Sequence, residues 1–311
     1  MESAQNLKRR IRSVQNIGTI TKAMELVAAT KMRRSQELAL TSRPYAYTAL
    51  ELLGILSGMK DVTMPDILTV RPVAKTAFVL MTSDKGLAGS FNSAVLRRFE
   101  AYVRENRIDL KDPQYSFIAI GQKAKSYLDR RGLNVIHSFV RVGDYTRMEE
   151  VVPIADAFIK GFLRHDFDSV MVFFTTFVTA IRQDAVVREF LPINYEKIKE
   201  SIEETIPRAG RYSEYARSEK FFEDKNREYL IEPTPTEVMA ELAPKLLTIR
   251  IHHMILEANA SEHSARRVAM KNASDNASEL SENLNVEYNK SRQAAITNQI
   301  IEITSGAQTQ A

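Results

Sequence analysis

The chain has 311 residues, with 43 Lys and Arg against 39 Asp and Glu, for a formal charge of +4. Cysteine is absent, which excludes a disulfide scaffold, a thiolate metal site and a cysteine nucleophile. The longest uncharged apolar stretch, residues 169–181, falls short of the roughly 18 residues a membrane helix needs. The opening residues lack the apolar segment of a secretory signal and run straight into a helical pattern.

Only 11 Gly and 10 Pro interrupt the chain, which leaves room for long helices. From Ser3 to Ser57, Leu7, Ile11 and Val14 recur at spacings of four and three, the signature of a coiled-coil seam. Ile17, Ile20, Met24 and Val27 are expected to continue that stripe with a small rotation. Pro44 is expected to bend or locally end the helix.

The next zone, about 73–230, alternates between two periods. Strands are expected over Lys75–Thr82, Tyr115–Ile120, Leu133–Val140, Ser169–Val178 and Ala185–Ile193, the last pairing with the one before it. Helices are expected over Asn92–Asn106, Gln122–Arg131 and Glu149–His165. Strand–helix alternation implies a parallel or mixed sheet covered by helices. A charged insert, about 196–228, reads as a solvated helix or a mobile segment.

Thr234-Pro235-Thr236-Glu237 is a capping box that opens a third zone. A four–three register follows through Leu242, Leu246, Ile249, His253, Leu256, Ala260, His263, Arg267 and Met270. It continues through Ser274, Ala277, Ser281, Leu284, Tyr288, Ser291 and Ala295. Pro244 is expected to kink this helix or mark its start, and Gly306 to stop it. Residues 236–305 as one helix span roughly 105 Å, and the first zone roughly 80 Å, at 1.5 Å per residue. The fold that reconciles these lengths is α/β: a long antiparallel coiled coil of the terminal helices with an inserted Rossmann-like domain. The expected divisions are 1–60, 73–230 and 234–306, with the C-terminal helix outrunning its partner as a single-helix tip.

Catalytic chemistry finds little support in the residues. The turn Ser83–Ser90 invites comparison with a phosphate loop, yet it has neither GxxxxGK[ST] nor GxGxxG; a shaped surface turn is the other reading. His253 and Glu257 are spaced i, i+4 but lack a third ligand at metal spacing. Residues 1–34 hold eight basic side chains against Glu2 and Glu25. They form either a solvated face or a surface for an acidic partner. Aromatic interleaving is missing, which weighs against nucleic acid. Ile296, Ile300 and Ile303 share one helical face at the tip, which points to a hydrophobic socket in a partner or to dimerisation.

The segments NLKRRIRSVQNIGTITKAMELVAATKMRRSQ, SDKGLAGSFN, VAMKNASDNASEL and YNKSRQAAITNQIIEITSGA resemble, in order, the signatures of the gamma subunit of F-type ATP synthases. The resemblance implies a central rotor stalk inside a ring of alpha and beta subunits. Its foot stands on the c-subunit ring and binds epsilon. It couples ion-driven rotation to ATP synthesis, and ATP hydrolysis to reverse rotation. Such a subunit is not itself an enzyme, holds no cofactor or metal, binds no nucleic acid, and meets the membrane only through the c ring. The implied location is the cytoplasmic face of a bacterial membrane. Met24, Arg266, Gln293, Thr297 and Gln299 fall at positions facing the ring, Gln299 standing where a Glu is common. Lys85 to Ala88 would approach the beta lever. Tyr229, Ile231 and Glu232 resemble the foot segment, with Ile231 in place of a common Tyr.

Overall fold

The computed structural model describes residues 4–59, 62–192 and 230–309. The charged insert and Tyr229 lie outside them. Contacts divide the chain into two compact units, residues 1–28 with 266–311, and residues 29–265.

In the first unit, helix α1 (Ala4–Ser57) packs against helix α5 (Pro235–Thr309). Leu7, Ile11 and Leu284 form a small buried cluster, flanked by Val14 and Tyr288. Farther along α1, Gly18 faces Ala277, so a rising number in one helix meets a falling number in the other and the pair is antiparallel. The seam of α1 keeps a strict four–three spacing: Leu7, Ile11, Val14, Gly18, Thr21, Glu25, Ala28. This corrects the expected stripe, because Ile17, Ile20 and Val27 are all more than half exposed. A 3.5-residue repeat holds its face only when the four–three alternation is unbroken. Glycine and alanine on that face let the backbones approach, which larger side chains would prevent. On α5 the register from Met270 through Ala277, Ser281 and Leu284 is buried, whereas Arg267 is exposed.

The second unit is built on a sheet of five strands: β1 (Thr76–Met81), β2 (Tyr115–Ile120), β3 (Val135–Phe139), β4 (Ser169–Phe177) and β5 (Gln183–Leu191). Their order is β3-β2-β1-β4-β5, with the first four parallel and β5 antiparallel to β4. Helices α2 (Phe91–Glu105), α3 (Gln122–Arg130) and α4 (Met148–Leu163) make the crossovers. Alternate residues of each strand serve opposite faces. Phe78, Leu80, Phe117 and Phe173 meet α2 and α3, where Phe99 sits 5.2 Å from Phe173 and 5.9 Å from Phe78 between ring centres. Ala77, Val79, Ile118, Val172 and Phe174 meet α4 on the other face, joined by Leu53 and Leu56 of α1 and by Met239, Leu246 and Ile251 of α5. Residues 249–256 of α5 are buried on every side, Arg250 included. The Arg250 guanidinium donates to the carbonyls of Phe190 and Glu189, both at 3.0 Å.

Thr234 caps α5 as expected, its Oγ1 accepting the Glu237 N–H at 3.3 Å. Pro244 lies inside the helix and does not begin it. α1 continues through Pro44, and α5 passes Gly306 to end at Thr309. A proline removes a single backbone hydrogen bond, and here buried side chains of the same helix, Ala49 and Leu53 after Pro44 and Met239 and Leu246 around Pro244, hold the chain on both paths. Glycine costs about 1 kcal/mol in a helix but does not forbid it.

Candidate interaction surfaces

The turn after β1 is closed by its own polar groups. Asn92 Oδ1 accepts the Ser83 N–H at 2.9 Å. The first amides of α3, the donors a Rossmann-like fold offers to a phosphate, are engaged internally. Gln122 N–H goes to Asp84 Oδ1 at 2.9 Å, Lys123 N–H to the Ser83 carbonyl at 3.1 Å, and Ala124 N–H to Thr82 Oγ1 at 2.7 Å. Gly121 sits beneath this junction at φ +92°, and a Cβ there would lie 2.0 Å from the Thr82 carbonyl oxygen. Only glycine fits. The site is thus a rigid turn whose phosphate-binding capacity is spent on holding α3 to β1.

What the turn presents outward is Lys85, Gly86 and Leu87. Leu87 stands in the left-handed region at φ 63° and is 65% exposed, while Ala88 is buried at 3%. Within the Lys85 to Ala88 segment the exposed apolar side chain is therefore Leu87, and Ala88 packs inward.

On α1, Met24 is half-buried beside the seam, with Ile17, Ile20, Leu26 and Val27 displayed on the outside. On α5, Arg266 is half-buried, and Gln293, Thr297 and Gln299 are exposed. The Thr297 hydroxyl donates to the Gln293 carbonyl at 2.9 Å, so its oxygen remains an acceptor. Ile296 and Ile300 are about half exposed, and Ile301 joins them. Ile303 belongs to the same helix, but its side chain is outside the described residues. At the other candidate surface, Ile231 is partly buried against the sheet core, Glu232 is exposed, and Leu230 is 90% exposed.

The Glu257 carboxylate accepts the Phe177 N–H at 3.3 Å. A polar cluster lies around Asp144, which contacts Lys31 of α1 and His263 of α5. Hydrogen bonding from His263, opposed by burial and reinforced by Lys31, holds the Asp144 carboxyl well below the usual carboxylate range. Burial pushes the His252 imidazole down, only partly offset by the Thr146 carbonyl that its Nε2 meets at 2.8 Å. Asp168 is held by a second strap. Burial would raise its carboxyl, but the N–H groups of Lys75 and Ala74 together with Arg71 outweigh burial and lower it.

Comparison with known proteins identifies relatives of the whole chain. A family model described as ATP synthase matches residues 3–309. The chain is 38% identical over 311 residues to the ATP synthase gamma chain of Roseiflexus castenholzii, covering 99% of this chain and 98% of the relative. It is 36% identical over 308 residues to that of Geotalea daltonii, covering 99% of each. Among solved structures it resembles a chain of the Euglena gracilis mitochondrial ATP synthase, with a TM-score of 0.64 at 15% identity over 98% of this chain and 94% of that one. A chain from the central stalk and c-ring structure of the Tetrahymena thermophila mitochondrial ATP synthase gives a TM-score of 0.55 at 22% identity, over 82% of this chain and 99% of that one.

Proposed function

We infer that this chain, which belongs to the ATP synthase gamma chain family, turns as the axle of its complex and couples ion-driven rotation of a c ring to ATP synthesis. ATP hydrolysis drives the reverse rotation. The gamma chain is a non-catalytic subunit. Its contribution is mechanical: the paired helices, taken as 1–60 and 234–306, form the shaft within the alpha–beta ring. The inserted domain, 73–230, forms the foot that meets epsilon and the c ring through the segment around Tyr229, Ile231 and Glu232.

The observation that carries this reading is the outward display of Ile17, Ile20, Val27, Leu280 and Val286 on helices whose seam is closed by small residues. A self-sufficient coiled coil would bury its large side chains and expose its small ones. This one buries Leu7, Ile11 and Leu284 yet leaves those five large side chains outside, as a shaft enclosed by an apolar collar requires. Apolar contact is non-directional, so the collar grips without fixing an angle. Ion pairs at exposed sites are worth about 0–1 kcal/mol and neutral hydrogen bonds about 1 kcal/mol. Lys85, Arg266, Gln293, Thr297 and Gln299 therefore guide stepping without locking it, and Leu87 joins Lys85 at the beta lever. At the tip, Ile296, Ile300 and Ile303 sit in an apolar socket. No helix among the described residues is long and apolar enough to cross a membrane, so attachment at the cytoplasmic face of a bacterial membrane runs through the c ring.

The test exploits the absence of native cysteine. Thr297→Cys, cross-linked to the ring in the assembled complex, should block ATP-driven ion pumping in vesicles, and reduction should restore it. Pumping that survives a complete cross-link overturns the rotor reading. Removal of residues 296–311 should weaken assembly and coupling; unchanged assembly removes the socket from the account.

A further inference from the structure

The loop between β3 and α4 packs Val142 against the sheet core, and its polar groups are tied to both long helices within the second unit. Asp144 Oδ2 meets Lys31 Nζ of α1, and Asp144 Oδ1 lies 3.1 Å from His263 Nε2 of α5. Its backbone carbonyl accepts Ser35 Oγ of α1 at 3.4 Å. One residue earlier, the Gly143 carbonyl accepts Asn259 Nδ2 of α5 at 3.2 Å and Thr146 Oγ1 at 2.7 Å. Two residues later, the Thr146 carbonyl meets His252 Nε2 at 2.8 Å. Lys31 and Ser35 are one turn apart on α1; His252, Asn259 and His263 share one face of α5. Ser35, Thr146 and His263 are almost wholly buried.

Ion pairs such as Lys31–Asp144, whose side chains are 30% and 42% open to solvent, are poor sources of net stability, because water screens their attraction. They do fix geometry: apolar surfaces can slide or rotate past one another at little cost, whereas bonds of defined length and direction cannot. We propose that Asp144 is a positioning residue for torque, a bracket that fixes the rotation of the second-unit segments of α1 and α5 about their own axes against the inserted sheet. The low carboxyl of Asp144 keeps the bracket charged across the physiological range. The proposal rests on the rotor reading and deepens it.

The experiment uses the assembled complex, immobilised by its ring, with a bead on a Lys111→Cys handle in the sheet unit. Angular fluctuation is measured with the shaft stalled. Asp144→Asn should widen its variance about twofold, Asp144→Glu should restore it, and Lys31→Gln should reproduce it if Asp144→Asn assembles poorly. Ile159→Val, a core change in α4 away from the bracket, should lower thermal stability and leave the variance alone. A wild-type bead that steps under ATP, combined with unchanged variance in both bracket variants, overturns the bracket and leaves the rotor. A wild-type bead that never steps overturns both.

Discussion

The two units solve the burial problem in opposite ways. The sheet unit buries its largest side chains completely: Phe78, Phe99, Phe117, Phe158 and Phe173 are all within 1% of full burial. The helical pair has just three residues in its apolar cluster and continues with Gly18, Thr21, Ala28, Ala277 and Ser281 along its seam. Intramolecular stability is concentrated where aromatic rings interlock. The helical pair has little of its own and holds its apolar surface outward. The contrast teaches that interlocked aromatic rings let the sheet unit bury its large side chains, whereas a seam of small residues leaves those of the helical pair outside.

Substitutions can break this contrast or sharpen it. The largest effect is expected at Gly121→Ala, where the added Cβ meets the Thr82 carbonyl at 2.0 Å and the backbone is left-handed. A loss of about 4–5 kcal/mol, or failure to fold, should appear in urea unfolding. Phe99→Ala removes a ring in contact with four others and should cost about 3–4 kcal/mol in the same assay. If either is tolerated, the sheet unit is not the rigid part.

In the helical pair, Gly18→Leu should force the helices apart and cost about 1–3 kcal/mol. Gly18→Ala, whose Cβ would reach Ala277 Cβ at an ordinary 3.4 Å, should be neutral or slightly stabilising. Circular dichroism melts of both variants separate close approach from mere helix propensity. Acidification should act on the sheet unit first. The folded state holds His252 below its unfolded value, so it binds fewer protons than the unfolded chain. The stability His252 contributes is complete above about pH 6.5 and is lost as pH falls through the lowered folded value. Asp144 adds a second loss below about pH 4. His252→Gln should flatten the first slope and leave the second. The smallest effect on stability is expected at Ile20→Ser: within about 0.5 kcal/mol in the isolated chain, because Ile20 is 59% exposed, yet with a clear loss of coupled ATPase in the complex. Equal losses in both measurements would return Ile20 to the coiled-coil core.

Much of this was legible beforehand. The strand over Tyr115–Ile120 coincides with β2, because alternating and continuous apolar runs bounded by turn residues admit few other readings. The α5 register holds from Leu246 to Leu284 for the same reason, Arg267 excepted. Pattern alone misplaces the α1 register after Val14, because it assigns large apolar residues to the inward face. Hydrophobicity reports a preference for leaving water but not which surface will receive it, and Ile17, Ile20 and Val27 are left exposed by the partner helix. Ala88 packs inward and Leu87 outward because the inward side of a tight turn is set by φ at each residue, which composition does not reveal.

By itself, the order of residues determined two long helices, five strands, their alternation and the resemblance carried by the terminal segments. These depend on local spacing and backbone preference, which are written along the chain. The tertiary structure alone decided which small residues close the seam, that Asp84, Ser83 and Thr82 consume the amides of α3, and that Asp144 joins Lys31 to His263. Each of these depends on groups far apart in sequence meeting at bonding distance, and that meeting is fixed only when the sheet and the helices pack together.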